Sequence, residues 1–212
     1  MFTFIQIVVY MNIIVYLYIS LKINNMSALG TITTSDYIQF DRATAVGEKL
    51  LKDEKLKTLG LYIIVSINSG LRISDVLALK GENLKADTIK LVEKKTNKHR
   101  EIKINDNIKK AIQVYGTLND SYLFVSQKNT VYSIQSVNRL LKSTFKKEAK
   151  TLNISTHSMR KSFGRKVYES CGESEKALNY LSELFNHTSL SVTRRYLGIR
   201  QEELNNIYDC IA

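Results

Sequence analysis

Apolar residues recur at helical spacing through most of the chain from Thr31 onward, and they switch to simple alternation in only one place. Arg42 to Lys52 and Leu56 to Asn68 carry the helical repeat, and Gly70 supplies a natural C-terminal stop after the second of them. Ile73, Val76, Leu77 and Leu79 restart a helix at once. Thr88 to Glu93 and Arg100 to Ile104 alternate apolar with polar residues on either side of the basic run KKTNKH, which predicts a β-hairpin. Further helices are expected over Asn105 to Tyr115, Ser133 to Lys150, Thr156 to Cys171, Glu173 to Phe185, Ser189 to Tyr196 and Gln201 to Ile211. In the second of these, Val137, Leu140, Leu141 and Phe145 share one face. With no internal repeat and no low-complexity linker, the pattern predicts a single, mostly helical α+β domain with one small antiparallel sheet.

The start of the chain departs from this pattern. Met1 to Leu21 carry no charge and are interrupted only by Thr3, Gln6, Asn12 and Ser20, a length sufficient to span a bilayer. A secretory signal would need a positive leading region and a small-residue cleavage site, and neither is present. Met26 opens a polar stretch, MSALGTITTSD, that reads as an ordinary protein start. Residues 1–25 are therefore read as either upstream sequence joined by a miscalled start or a membrane anchor, with a core helix as the third reading. Residues 26–56 form a short helical lead-in, and residues 57–212 form the main domain.

Composition narrows the partner. At 212 residues, 44% hydrophobic and 24% charged, the chain can bury a core, which argues against disorder or a fibrous repeat. Lys and Arg number 31 against 20 Asp and Glu, and the resulting +11 favours a polyanion, either nucleic acid or an anionic membrane face. Cys171 and Cys210 are the only cysteines, too few for a disulfide framework and without the spacing of a zinc site, so a reduced, cytoplasmic setting is expected.

Three clusters could carry chemistry. In SGLRISDVLAL, Arg72 follows a glycine turn and precedes a helix start, where a guanidinium and backbone N–H groups can face one anion. In HSMR, His157 and Arg160 stand three apart and project from one helical face. In NHTSLSVTRRY, His187 precedes Tyr196 by nine residues. Two arginines, two histidines and a tyrosine suit cleavage of a phosphodiester by a protein nucleophile: the arginines hold the charge of the phosphorane, the histidines move protons and the phenol attacks. Each piece alone also has a plain structural reading. Arginines and histidines at helix ends cap carbonyls or pair with carboxylates, and Lys94, Lys95, Lys98, His99 and Arg100 read equally as a solvated hairpin tip. Most of the 12 tyrosines pack with a wet hydroxyl.

Order and context resolve the choice. The stretch from about Leu59 to Gly198 resembles the catalytic domain of the tyrosine recombinases, or phage integrases, at four successive boxes. SGLRISDVLAL is similar to that family's first arginine box, VEKKTNKHREIKI to its lysine hairpin, HSMRKSF to its H-x-x-R box and LFNHTSLSVTRRYLG to its closing box of histidine and tyrosine. The resemblance implies that Arg72 and Arg160 clamp the scissile phosphate and that Tyr196 attacks it, leaving a 3′-phosphotyrosyl link and a free 5′-hydroxyl. It implies that Lys95 protonates the leaving oxygen, that His157 assists proton transfer at the tyrosine and that His187 donates a hydrogen bond to the phosphate. Asp75 matches the acidic position that steadies the site. Lys98, Arg100, Arg194 and Arg195 are expected as contacts to double-stranded DNA. No metal and no cofactor are expected, because the phosphotyrosyl ester stores the energy for rejoining.

Four departures from the family pattern stand out. Asn186 stands where a glycine is frequent, Lys161 where a histidine is frequent, and Ile102, Lys103 and Ile104 occupy a strand end where a proline is common. The fourth is upstream, where residues 26–56 are too short for the usual core-binding domain of roughly one hundred residues, so the clamp around DNA is expected to be incomplete. Site-specific DNA recombination or integration is therefore the leading expectation, by a homo-oligomer on DNA or together with a partner recombinase, and a membrane partner is not expected. The rival readings are a non-catalytic DNA-binding remnant that regulates a full-length recombinase, and a type IB topoisomerase-like activity.

Overall fold

In a computed structural model of the chain, residues 35–126, 128–199 and 206 are described. Residues 35–39, without regular secondary structure, lead into helix α1 (Phe40–Leu51), which packs against α2 (Lys57–Ser69). Every residue of α2 from Leu59 to Ser69 is buried, as expected of a helix that is apolar almost all round. The two helices meet backbone to backbone: a methyl group on Gly60 would stand 2.7 Å from the Leu51 nitrogen and 2.8 Å from the Gly47 oxygen. The polar end of α2 is satisfied internally, because buried Asn68 donates to the Ile64 carbonyl and accepts from the side chains of Asn105 and Asn107.

Gly70 ends α2 in the left-handed conformation (φ 60°), and a Cβ there would meet the Phe163 ring at 2.4 Å. The short helix α3 (Ile73–Val76) follows, and a 3-10 turn (Gly81–Leu84) leads to the hairpin. Strands β1 (Thr88–Val92) and β2 (His99–Lys103) pair antiparallel, with Ile89 opposite Ile102 and Val92 opposite His99. Helix α4 (Asp106–Tyr115) starts at an Asn105 side-chain cap, and α5 (Ile134–Thr144) at a Ser133 cap. The chain then forms α6 (Thr156–Ser170), α7 (Glu175–Phe185) and α8 (Leu190–Leu197), each opened by a serine: Ser155, Ser174 and Ser189. The described residues lie in one compact unit spanning 34–212.

The apolar side chains gather in two clusters. The larger joins α1, α2, the hairpin, α4 and α5 around Tyr62, Phe124 and Phe145. The smaller, with Tyr168, Leu178, Leu181, Phe185 and Leu197, is built by α6, α7 and α8. Two sequence expectations are corrected in detail. The helix expected through Lys150 stops at Thr144, because fully buried Phe145 leaves the helical conformation and a 3-10 turn (Glu148–Lys150) follows. The helix expected to continue through Leu79 is shorter and ends at Val76. The expected last helix, Gln201 to Ile211, lies outside the described residues apart from Asn206, which is helical, and the apolar segment 1–25 lies outside them altogether. Among the described residues no helix is long and apolar enough to cross a membrane.

Candidate active site

The three clusters of the sequence converge where α2 ends, the hairpin turns and α7 ends. Arg72 caps α3 in an extended conformation, which turns its guanidinium away from the helix and toward the hairpin. Its Nη1 donates to Glu93 Oε2 at 2.6 Å and its Nη2 to the Phe185 carbonyl at 2.9 Å. Arg160, buried on α6, donates through Nη1 to the Gly70 carbonyl at 2.6 Å and through Nη2 to the same Phe185 oxygen at 3.3 Å. Its guanidinium also stacks 4.3 Å above the Phe185 ring centroid. Burial, then the positive charges of Arg72 and Arg100, lower the Arg160 pKa to about 10, so it stays charged at neutral pH.

Tyr196, on the last turn of α8, packs edge-on against Phe185 and His187, with ring centroids 5.4 and 5.2 Å away. Its ring is partly exposed, but its hydroxyl oxygen is buried and makes no hydrogen bond of good geometry. Burial pushes the phenol up to about 12, while Arg160 and Arg72 pull the other way. The phenol is thus protonated at rest, with the cations that would favour a phenolate close at hand. The Lys161 ammonium lies 5.2 Å from the Tyr196 ring centroid, and burial lowers its pKa against the opposing charge of Asp36.

His187 is half-buried, and its Nδ1 lies 3.0 Å from the Thr193 hydroxyl. Desolvation, followed by the charges of Arg160 and Arg72, lowers its pKa and keeps the ring neutral near pH 7. His157 sits at the mouth with much of its surface exposed, yet desolvation of the imidazole and the charges of Arg160, Lys161 and Lys95 lower its pKa too. That coupling also brings exposed Lys95, on the hairpin tip, within electrostatic reach of the cluster. Asp75, 2% exposed, accepts the Lys94 backbone N–H at 2.9 Å and so fastens the same tip to α3.

The residues expected on DNA fall into different settings. Arg195 is exposed and Arg194 half-buried. Lys98 is exposed and donates to Asn186 Oδ1 at 2.5 Å. Asn186 takes the left-handed conformation (φ 53°) that closes α7, which explains how it can stand where a glycine is frequent. Arg100 turns inward: its side chain is 12% exposed, and Nη1 donates to Glu93 Oε1 at 2.6 Å and to the Leu184 carbonyl at 2.8 Å. Of the residues expected on DNA, Arg100 thus faces the hairpin carboxylate and the end of α7 through Nη1, while its buried Nη2 has no hydrogen-bond partner.

Two members of this cluster were missed in the sequence. Glu93 is an acid at the head of a basic run, a signal that could have marked it. Phe185 looks like any core residue before the histidine, and nothing in its type foretells that its carbonyl holds two arginines.

A hairpin packed beside this helical assembly, with the clustered arginines, histidines and tyrosine, defines the class: the fold is that of a tyrosine recombinase catalytic domain. The crystal structure of the XerA recombinase superposes with a TM-score of 0.60 at 19% identity, covering 82% of this chain and 62% of that one. A lambda integrase (75–356) dimer bound to a COC′ core site gives 0.57 at 15% identity, covering 82% and 63%. The phage integrase family model matches residues 41–203, and the chain belongs to that family. The probable integrase/recombinase YoeC of Bacillus subtilis (strain 168) is 33% identical over 152 residues, 68% of this chain and 80% of that protein. The tyrosine recombinase XerC of Pelobacter propionicus is 26% identical over 181 residues, and the match spans 82% of this chain but only 58% of that protein.

Proposed function

We propose that the chain is the catalytic part of a site-specific DNA recombinase that cuts and rejoins strands through a phosphotyrosyl intermediate at Tyr196. The observation that carries this reading is the meeting of Arg72 and Arg160 on one carbonyl oxygen, Phe185 O, with the buried Tyr196 hydroxyl next to the Arg160 guanidinium. Two guanidiniums directed at one oxygen are suited to a phosphate arriving in its neighbourhood, and a hydroxyl beside one of them is placed to attack that phosphate.

The Tyr196 oxygen forms a bond to phosphorus while the bond from phosphorus to the 5′-oxygen breaks. Neutral His157 takes the phenol proton, a role its lowered pKa favours because the ring remains a base to lower pH. Arg72 and Arg160 neutralise the non-bridging oxygens as charge builds on them. In the tautomer whose Nδ1 accepts from the Thr193 hydroxyl, His187 presents its Nε2–H to a phosphate oxygen. Lys95 gives its proton to the departing 5′-oxygen. Attack by a 5′-hydroxyl from the same or another strand reverses the steps, so neither a nucleotide nor a metal ion is consumed. The partner is double-stranded DNA, bound with further copies of the chain or a partner recombinase, and the +11 charge supplies encounter.

A pool of nicked duplexes of randomised sequence tests the reading whatever the target site, because the nick lets the released fragment diffuse away and traps the intermediate. Wild type should yield a protein–DNA band that survives denaturation, and Tyr196→Phe, which keeps the ring and loses the nucleophile, should yield none. Equal trapping by both proteins removes Tyr196 from the role.

A further inference from the structure

Glu93 has no part in the proposed reaction, yet it is the centre of the cation cluster. Its carboxylate is 4% exposed and accepts three short hydrogen bonds, from Arg72 Nη1, Arg100 Nη1 and the Thr96 hydroxyl, each 2.6 Å long. Both arginines reach past it to carbonyls at the end of α7, Arg72 to Phe185 and Arg100 to Leu184. Those carbonyls lie at a helix C-terminus, which lacks intrahelical partners and carries the negative end of the dipole. The two guanidiniums are thus held between one carboxylate and two successive carbonyls.

The same residue closes the hairpin tip. Its backbone N–H donates to the Lys98 carbonyl and its own carbonyl accepts from Asn97, both at 2.9 Å, while the Thr96 hydroxyl bonds to its side chain. Lys95 therefore lies between a residue pinned by Asp75, Lys94, and a residue pinned by Glu93, Thr96. Without the Glu93 charge, Arg72, Arg100 and Arg160 would face one another after losing the carboxylate that stands among them. Buried like charges without a counter-ion move apart or toward solvent.

We propose that Glu93 is a positioning residue of the active site, whose carboxylate, shared by Arg72 and Arg100, aims Arg72 at the scissile phosphate and steadies the tip that carries Lys95. The proposal rests on the recombinase reading above. It requires the loss on mutation to depend on phosphate charge, because Arg72 acts on that charge. A methylphosphonate replaces one non-bridging oxygen by an uncharged methyl group and leaves less for the arginine to neutralise.

The experiment measures single-turnover cleavage of a duplex captured from the randomised pool, once with an ordinary phosphodiester and once with a methylphosphonate at the scissile position. Glu93→Gln should slow cleavage of the phosphodiester by about 30-fold, below the full loss of an oxyanion donor, and cleavage of the methylphosphonate by less than about threefold. An equal loss on both substrates would mark a merely structural role and overturn the proposal, as would no loss on either. Glu93→Asp guards against misfolding: it keeps the charge but is one methylene short of holding both arginines. It should show a smaller loss with the same dependence on phosphate charge, and rates equal to wild type on both substrates overturn the proposal. Failure of the wild type to cleave either duplex would instead count against the recombinase reading itself.

Discussion

Arg72 and Arg160 both donate to one oxygen, the Phe185 carbonyl, and this shared target sets them apart from the other basic residues. Arg160 is 5% exposed, so little of it is available for general attraction to DNA, whereas Lys95, Lys98 and Arg195 are exposed. Loss of either arginine should therefore strike chemistry rather than affinity. Arg72→Ala and Arg160→Ala are expected to bind the captured duplex within about threefold of wild type, since many other cations share the phosphate contacts. Cleavage should fall by about a hundredfold or more, the scale of one lost oxyanion donor. Parallel loss of binding and cleavage, read by titration and by single-turnover gels, would contradict this division. These arginines were legible in the sequence because each sits in a short box with its own histidine, glycine or helix start. Glu93 was not, because a carboxylate followed by two lysines reads as surface until the fold buries it beside Arg72 and Arg100.

At the scale of elements, the hairpin and the end of α7 do most to assemble the site. The hairpin was legible from its alternation, and its observed strands differ from the expected ones by single residues: β1 stops at Val92, and β2 runs from His99 to Lys103. Ser133, Ser155, Ser174 and Ser189 open four helices, each accepting a backbone N–H, and the expected starts fall at or next to three of them, whereas the helix expected from Glu173 begins at Glu175 because Glu173 takes the left-handed conformation (φ 54°). The early end of α5 was not legible, because Phe145 fits the apolar face whether the helix continues or breaks there. The tip itself makes a prediction. Lys95 lies between two pinned neighbours and next to the charge environment of His157, whereas Lys98 is engaged by Asn186. A 5′-bridging phosphorothioate gives a leaving group that needs no proton, so it should restore cleavage by Lys95→Ala to within about tenfold of wild type. Rescue of Lys98→Ala in place of Lys95→Ala would transfer the acid to Lys98.

At the scale of the whole molecule, a chain with a charge of +11 concentrates arginines at one point and holds them with a buried acid, which makes its stability depend on pH. Burial alone would raise the Glu93 pKa, but the bonds from Thr96, Arg100 and Arg72 and the Arg72 charge bring it down from 4.5 to about 2. A carboxylate depressed on folding stabilises the native state above its unfolded pKa, and that contribution disappears as pH falls through the folded one. Wild type should exceed Glu93→Gln in unfolding free energy by about 3 kcal/mol near neutral pH, with the gap closing between about pH 4.5 and 2. Denaturant titrations across that range measure the gap, and one that stays constant would show that the carboxylate charge is not what stabilises the cluster. The class of fold was legible because four boxes occur in order, but no pattern in the sequence gives the direction in which the boxes face, which only the meeting of α2, α7 and the hairpin supplies. The central claim is chemical, and mass spectrometry of the nuclease-trimmed adduct from the randomised nicked pool tests it most directly. The account predicts a peptide in which Tyr196 alone carries a nucleotide joined through its 3′-phosphate, formed equally well in excess EDTA; a 5′-linked nucleotide, attachment to another residue, or cleavage that appears only with a divalent cation would contradict it.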